Sequence, residues 1–282
     1  MRRKLLAASF ACLPLVLAVN AAPAGAAATN QVIGVPAYFQ MDDDSSWSTL
    51  DSSGGVAIVN EDNGPGTAFD PALATRIQAA KAAGLRVIGY VDTGWFGQSS
   101  EQRQTRDGGT SESSWTRQAE GDIDAWYNMY GSYGIDGIFF DDAWGTCDYK
   151  GLYDTVAQYA RNASVNDGYA QAWIVDNPGE DVDSCYLSDS NAADTFVDFE
   201  GSYDDYTNWQ PKDYELSADP GRLWNLVYGA SDSQMASAMA MSRADNAGYI
   251  YVTDRSLDSN PWLTTASYLS DEQSQIGSPT GG

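Results

Sequence analysis

The chain has 282 residues, 39 of them acidic against 15 basic, for a net charge of −24, and it contains no histidine. Such acidity repels nucleic acid and anionic membrane. The absence of histidine excludes a Ser-His-Asp triad, a Cys-His pair and a histidine-bound zinc.

Arg2, Arg3 and Lys4 precede an apolar run from Leu5 to Val19, and Ala26-Ala27-Ala28 offers a small-residue cleavage site. This predicts a secretory signal over residues 1–28, too short and wrongly flanked for a membrane span, and hence an extracellular product. Its removal leaves twelve basic residues against 39 acidic ones, a net −27. That charge suits either solubility outside the cell or attraction to a cationic polymer. Residues 29–276 then form one domain of about 250 residues, the usual size of a (β/α)₈ barrel, and residues 277–282 read as a tail. Cys12 leaves with the signal. Cys147 and Cys185 remain as an even pair, either a disulfide or two buried thiols, and the compartment favours the bond.

Eight short runs rich in β-branched and aromatic residues follow in order: Val32–Phe39, Gly55–Asn60, Arg86–Asp92, Gly137–Asp141, Ala172–Asp176, Thr195–Glu200, Leu223–Tyr228 and Gly248–Asp254. Helical patterns lie between several of them. Pro71–Ala83 opens behind Asp70, an N-cap with Pro at the first helical position, and stops at Gly84. Trp115–Tyr130, Leu152–Ala163, Ser233–Ala244 and Trp262–Ser270 read likewise. The connections after the first, fifth and sixth strands show no clear helix. Parallel neighbours need crossovers, so the alternation predicts a parallel sheet covered on its outside, and eight units predict closure into a TIM-type barrel. A doubly wound sheet is the alternative, but no glycine-rich loop follows the first strand.

Active sites of such barrels lie at the carboxyl ends of the strands. Here those ends carry Asp92, Asp141-Asp142, Asp176-Asn177, Glu200 and Asp254, with Tyr38 and Tyr228 ending the first and seventh. Any one of these acids is as readily explained by emergence into water. As a set beside Trp95 and Trp144 they suit a sugar site, where rings stack on aromatics and hydroxyls bond to acids. Carboxylates are the acid–base groups left to this chain, and glycosidic hydrolysis needs only two. Asp42, Asp43 and Asp44 lack the ligand spacing of a calcium loop and read as a solvated face, so no metal and no cofactor is expected.

Several of these segments form an ordered series: Val35-Pro36-Ala37-Tyr38-Phe39, Asn63-Gly64-Pro65-Gly66, Gly89-Tyr90-Val91-Asp92-Thr93-Gly94, Gly134 to Asp142, Asn177-Pro178-Gly179, Phe199-Glu200-Gly201, Val252-Thr253-Asp254 and Asn260-Pro261-Trp262. Over nearly the whole mature chain this resembles the spherulin-4-like family. The resemblance implies a secreted (β/α)₈ glycoside hydrolase, similar to fungal endo-α-1,4-galactosaminidases that act on a partly cationic galactosaminogalactan. Matched onto the family's Phe-Asp-Glu and Phe-Glu motifs, the functional acids are Asp141, Asp142 and Glu200. The family's usual pair is Asp-Glu, and Asp142 is one methylene shorter.

The expected roles are Asp141 as nucleophile, Glu200 as acid/base of a retaining reaction, and Asp142 as a group that orients sugar or tunes one of the pair. Tyr38, Asp92, Trp144, Asn177, Tyr228 and Asp254 are the expected sugar contacts. Strand alternation places Asp141 and Asp142 on opposite faces and Asp198 on the same face as Glu200. A barrel that binds sugar without turning it over is the rival reading.

Overall fold

The computed structural model describes residues 30–189 and 191–276; the predicted signal and the tail lie outside them. Eight parallel strands, β1 (Val32–Ala37), β2 (Val56–Val59), β3 (Arg86–Asp92), β4 (Ile135–Asp141), β5 (Trp173–Asp176), β6 (Thr195–Ser202), β7 (Leu223–Tyr228) and β8 (Tyr249–Val252), pair in sequence order and close into a barrel. Their near-continuous burial, complete along β2 and β7 up to Tyr228, is what a sheet covered on both faces requires. The helices α1 (Asp44–Ser53), α2 (Pro71–Ala82), α3 (Glu112–Tyr130), α4 (Lys150–Asn166), α5 (Ser184–Leu187), α6 (Tyr203–Tyr206), α7 (Asp232–Ala244) and α8 (Leu269–Gln275) complete the described elements. Among the described residues no helix is long and apolar enough to cross a membrane.

Three departures from the sequence pattern have physical causes. The connection after β1 does hold a helix, α1, capped by Asp43, whose side chain accepts from Ser46 N at 3.1 Å. Its buried apolar anchors are only Trp47 and Leu50, too few to register as periodicity. Asp44 is ion-paired with Arg76, so two of the three adjacent acids have structural partners. After β5 and β6 the helices α5 and α6 are single turns of four residues. The third departure is the helix expected over Trp262–Ser270, which begins only at Leu269. The backbone of that segment is spent elsewhere: Trp262 O accepts from Tyr38 N at 3.2 Å, Thr265 N donates to Ser46 Oγ at 3.2 Å, and Thr265 O accepts from the Arg255 side chain at 3.1 Å.

The barrel interior is a packed core. Trp173, Trp224 and Tyr249 stack across its floor, with ring centroids 5.4–6.4 Å apart, and the Arg86 guanidinium lies 4.5 Å from the Trp173 ring centroid. Gly34 makes room for this layer, because a Cβ there would sit 2.1 Å from the Trp224 ring.

Two strands carry a bulge, and both bulges are filled by aspartate. Register shifts at β4, where Asp136 is the extra residue between Ile135 and Gly137, and at β6, where Asp198 is extra between Val197 and Phe199. Each carboxylate takes a backbone N–H of the neighbouring strand: Val87 N donates to Asp136 at 2.8 Å, and Trp224 N to Asp198 at 3.2 Å. Asp136 is also held by Lys81 at 2.7 Å. Asp198 accepts from Asn225 Nδ2 at 3.0 Å, and Asn225 in turn accepts from Ser242 of α7. Asp198 therefore faces the helix layer and not the mouth, contrary to the shared face that simple alternation predicts for it and Glu200.

Cys147, in the loop after β4, and Cys185, in α5, form a disulfide with Cα atoms 6.1 Å apart. It ties together the loops that follow β4 and β5.

Candidate active site

Asp141 ends β4, and the next residue, Asp142, turns left-handed with φ 52°. That turn breaks the alternation of the strand, so both acids line the mouth instead of opposite faces. The Asp142 carbonyl is fixed by Thr93 Oγ1 and by Trp95 N, each at 2.8 Å.

The donors to Asp142 come from an unusual segment. After β3, Gly94, Trp95, Phe96 and Gly97 all have positive φ, at 50°, 49°, 50° and 70°, a single left-handed helical turn. Left-handed helix costs about 1–2 kcal/mol per non-glycine residue, so the surroundings must hold it. Asp92 accepts from Gly94 N at 2.8 Å, Phe96 is fully buried with its ring edge-on to Tyr153, and the Trp144 indole donates to Trp95 O at 3.2 Å. Gly94 admits no side chain, since a Cβ would lie 2.3 Å from the Trp115 ring. The turn presents Trp95 to the mouth.

At the centre lie Asp141 and Glu200, joined by one amide. Asn177 Nδ2 donates to Asp141 Oδ1 and to Glu200 Oε2, each at 2.7 Å. The two bridged oxygens are therefore at most about 5.4 Å apart, twice that bond length. Asn177 is 7% exposed and is itself fixed by its backbone, which donates to Phe140 O at 2.8 Å and accepts from Ala143 N at 3.0 Å. Tyr90 Oη donates to the other oxygen of Asp141 at 2.7 Å, and Trp262 Nε1 to the other oxygen of Glu200 at 3.3 Å.

Burial sets the proton balance of this pair. Desolvation pushes Asp141 up to about 6 against the hydrogen bonds from Tyr90 and Asn177, which pull it down. Glu200 goes further, to about 7, because desolvation is joined by the charge of Asp141. The two titrate as one system, with the proton favouring Glu200. Burial and the neighbouring acids hold the Tyr38 and Tyr90 hydroxyls well above their usual range, so both stay protonated donors.

Two cavities meet over the pair. One of about 340 Å³ is lined by Tyr38, Asn60, Asn63, Tyr90, Asn260 and Trp262; the other, of about 330 Å³, by Trp95, Asp142, Asn177, Pro178, Gly179 and Tyr228. Asp141, Glu200 and Leu257 border both. Leu257 is 67% exposed, a large apolar side chain bordering the same cavities as the acid pair.

Of the residues singled out from sequence, Asp141, Asp142, Glu200, Tyr38, Asn177 and Tyr228 come together here. Three others line neither cavity. Asp92 is 5% exposed and engaged by Gly94 and Arg103. Trp144 stacks on Tyr149 and supports the left-handed turn from behind. Asp254 accepts from Ser267 N at 3.0 Å and steadies the loop that carries Leu257 and Trp262. Tyr90, Trp262 and Arg103 were not singled out as site residues. Tyr90 shares a strand face with Asp92 two residues on, and that spacing could have flagged it. Trp262 opens a segment whose pattern predicts a helix, and Arg103 lies in a loop without any sequence signal. Among the described residues no three carboxylates or thiols are gathered as metal ligands.

The fold and site thus define a single (β/α)₈ barrel with a bridged carboxylate pair under an aromatic-walled cleft at its strand C-termini. Residues 32–276 match the spherulation-specific family 4, and the chain belongs to that family. Spherulin-4 of Physarum polycephalum is 26% identical over 229 residues; these are 78% of this chain but 61% of that relative, so the chain spans about three-fifths of its length. Among solved structures, Aspergillus clavatus Sph3 in complex with GalNAc superimposes with a TM-score of 0.68 at 19% identity, covering 88% of this chain and 98% of that one. A xylanase–α-amylase inhibitor protein bound to trehalose shares the fold more loosely, with a TM-score of 0.50, 15% identity, and 88% and 98% coverage.

Proposed function

We propose that the protein is a secreted glycoside hydrolase that cuts an α-linked, galactosamine-type polysaccharide within the chain and with retention of configuration. The observation that carries this reading is the amide bridge. A spacing of at most about 5.4 Å between the bridged oxygens supports the roughly 5–5.5 Å separation of retaining enzymes over the roughly 6.5–9.5 Å of inverting ones. Asp141, the more readily ionised acid, attacks the anomeric carbon. Glu200, the better proton holder, gives its proton to the departing glycosidic oxygen as that C–O bond breaks and an Asp141 ester forms. Water then attacks the same carbon, Glu200 takes its proton, and Asp141 leaves as a carboxylate.

Cavities on both sides of the pair suit a polymer bound across the cut, and Trp95, Tyr38, Tyr228 and Trp262 offer faces for sugar rings. The GalNAc held by Sph3 supports a galactosamine-type sugar. The acidic surface suits a polymer that is cationic where deacetylated. Export is supported by the leader pattern and the disulfide.

The test is reducing-end release from partially and fully acetylated α-1,4-galactosaminoglycan by wild type, Asp141→Asn and Glu200→Gln. Release of oligosaccharides by wild type, with large losses in both variants, supports the assignment. Binding by all three without release would replace it with a carbohydrate-binding barrel.

A further inference from the structure

Asp141, Asp142 and Glu200 line this mouth with Asp92 buried behind them, and Arg103 pairs with two of the four. Arg103, in the loop between the left-handed turn and α3, donates Nη2 to Asp92 at 2.6 Å and pairs through Nη1 with Asp142. Its guanidinium carbon lies 5.6 Å from the Trp95 ring centroid. The preceding residue, Gln102, sits at φ 51°, a conformation ordinary residues avoid, so the loop bends sharply just where the arginine turns inward. The fork of a guanidinium can hold two carboxylates at once, as an ammonium cannot. The second acid at the end of β4, Asp142, is thus held by this arginine.

We propose that Arg103 is a positioning residue: by pairing with Asp92 and Asp142 at once, it offsets half of their combined negative charge beside Asp141 and so keeps Asp141 an ionised carboxylate facing the sugar. The proposal rests on the reading of Asp141 and Glu200 as the reacting pair. Without Arg103, the charges of Asp92 and Asp142 would act on Asp141 unopposed, and it would hold its proton and lose its nucleophilicity. The groups facing Asp141 are Tyr38 just after β1, Tyr90 and Asp92 from β3, Arg103 from the following loop, Asn177 after β5 and Glu200 from β6, with Asp142 beside it in sequence. Among these Arg103 is the only positive charge, and it draws the carboxyl of Asp141 downward while Asp92 draws it upward. The Trp95 contact ties this charge control to the aromatic wall, so the same side chain orders a surface that meets sugar.

The test compares wild type with Arg103→Gln, Arg103→Lys and Asp142→Asn by two readouts. One is the carboxyl ¹³C titration of Asp141, which needs no turnover. The other is kcat/KM against pH on galactosaminoglycan. Arg103→Gln is expected to move the Asp141 midpoint, and with it the acid limb of the rate profile, up by about half a pH unit or more. That is a loss of about threefold or more in rate below the limb. Arg103→Lys should recover about half of this, since one ammonium can serve one carboxylate well. Asp142→Asn should move the midpoint the opposite way, because it removes an anion and frees the arginine. A midpoint unchanged in folded Arg103→Gln, or moved equally by Gln and Lys, overturns the proposal; if Arg103→Gln does not fold, an upward or absent shift in Asp142→Asn overturns it. An inactive wild type whose Asp141 midpoint still responds as described would refute the hydrolase reading and leave the role of Arg103 standing.

Discussion

Replacement of Asn177 by alanine isolates the bridge on which the acid pair depends. The backbone bonds of residue 177, to Phe140 O and from Ala143 N, survive the substitution, and its side-chain oxygen has no partner to lose. What disappears is one donor serving two acids, each at 2.7 Å. A hydrogen bond to a charged group contributes about 1.5–3 kcal/mol. Taking the lower figure for both bonds gives about 3 kcal/mol, or roughly a hundredfold in rate if both are needed at the transition state. The pH profile should move as well. Both bonds hold their acid down, so Asp141 and Glu200 rise from about 6 and about 7 when the bonds are lost, and the active window shifts toward alkaline pH. The assay is kcat/KM from pH 4 to 9 on the polymer, beside thermal melts of both proteins. A folded Asn177→Ala that loses less than threefold and keeps its pH window would refute the bridge as an organising element.

Three further outcomes follow from the structure. Asp176 is buried with neither oxygen partnered and its carboxyl pushed up to about 8 by desolvation, so the folded state binds its proton more tightly than the unfolded one. Its contribution is intact below about pH 4 and is lost as pH rises toward 8; Asp176→Asn should therefore stabilise the fold at pH 8 by on the order of a few kcal/mol, read as a higher melting temperature, and change little at pH 4. Loss of the Cys147–Cys185 bond, which spans 38 residues, should cost about 4 kcal/mol in the chain-entropy description, read as a lower denaturant midpoint for the double serine variant. Gly94→Ala drives a Cβ into the buried Trp115 ring and should lower both stability and Trp95 placement, seen as weaker sugar binding in titration calorimetry together with a reduced melting temperature.

Much of the architecture was legible because buried parallel strands write themselves as apolar runs, and all eight were visible. The helices were legible only where three or more turns bury a stripe. α5 and α6 are single turns without room for a period, and α1 hides behind serines and acids. Asp141 and Glu200 could be picked out because the barrel's functional face is fixed by topology. Which way their neighbours point could not, since a bulge or one positive φ resets alternation, as it does at Asp198 and Asp142. Arg103 approaches through a loop, and its two partners are 11 and 39 positions away.

The aspartate-filled bulges of β4 and β6 have a further consequence, for parity. Each adds one residue upstream of a mouth acid, Asp136 before Asp141 and Asp198 before Glu200. Counted from the start of its strand, each acid faces inward only because the bulge takes up that added residue. Were either bulge ironed out into regular pleat, Asp141 or Glu200 would swing under the helices and Phe140 or Phe199 would fill the mouth. Insertions elsewhere on this barrel can lengthen a loop and leave the chemistry intact. In these two strands a one-residue change that the bulge does not absorb turns the acid away from the mouth, so their length between bulge and acid is tightly constrained.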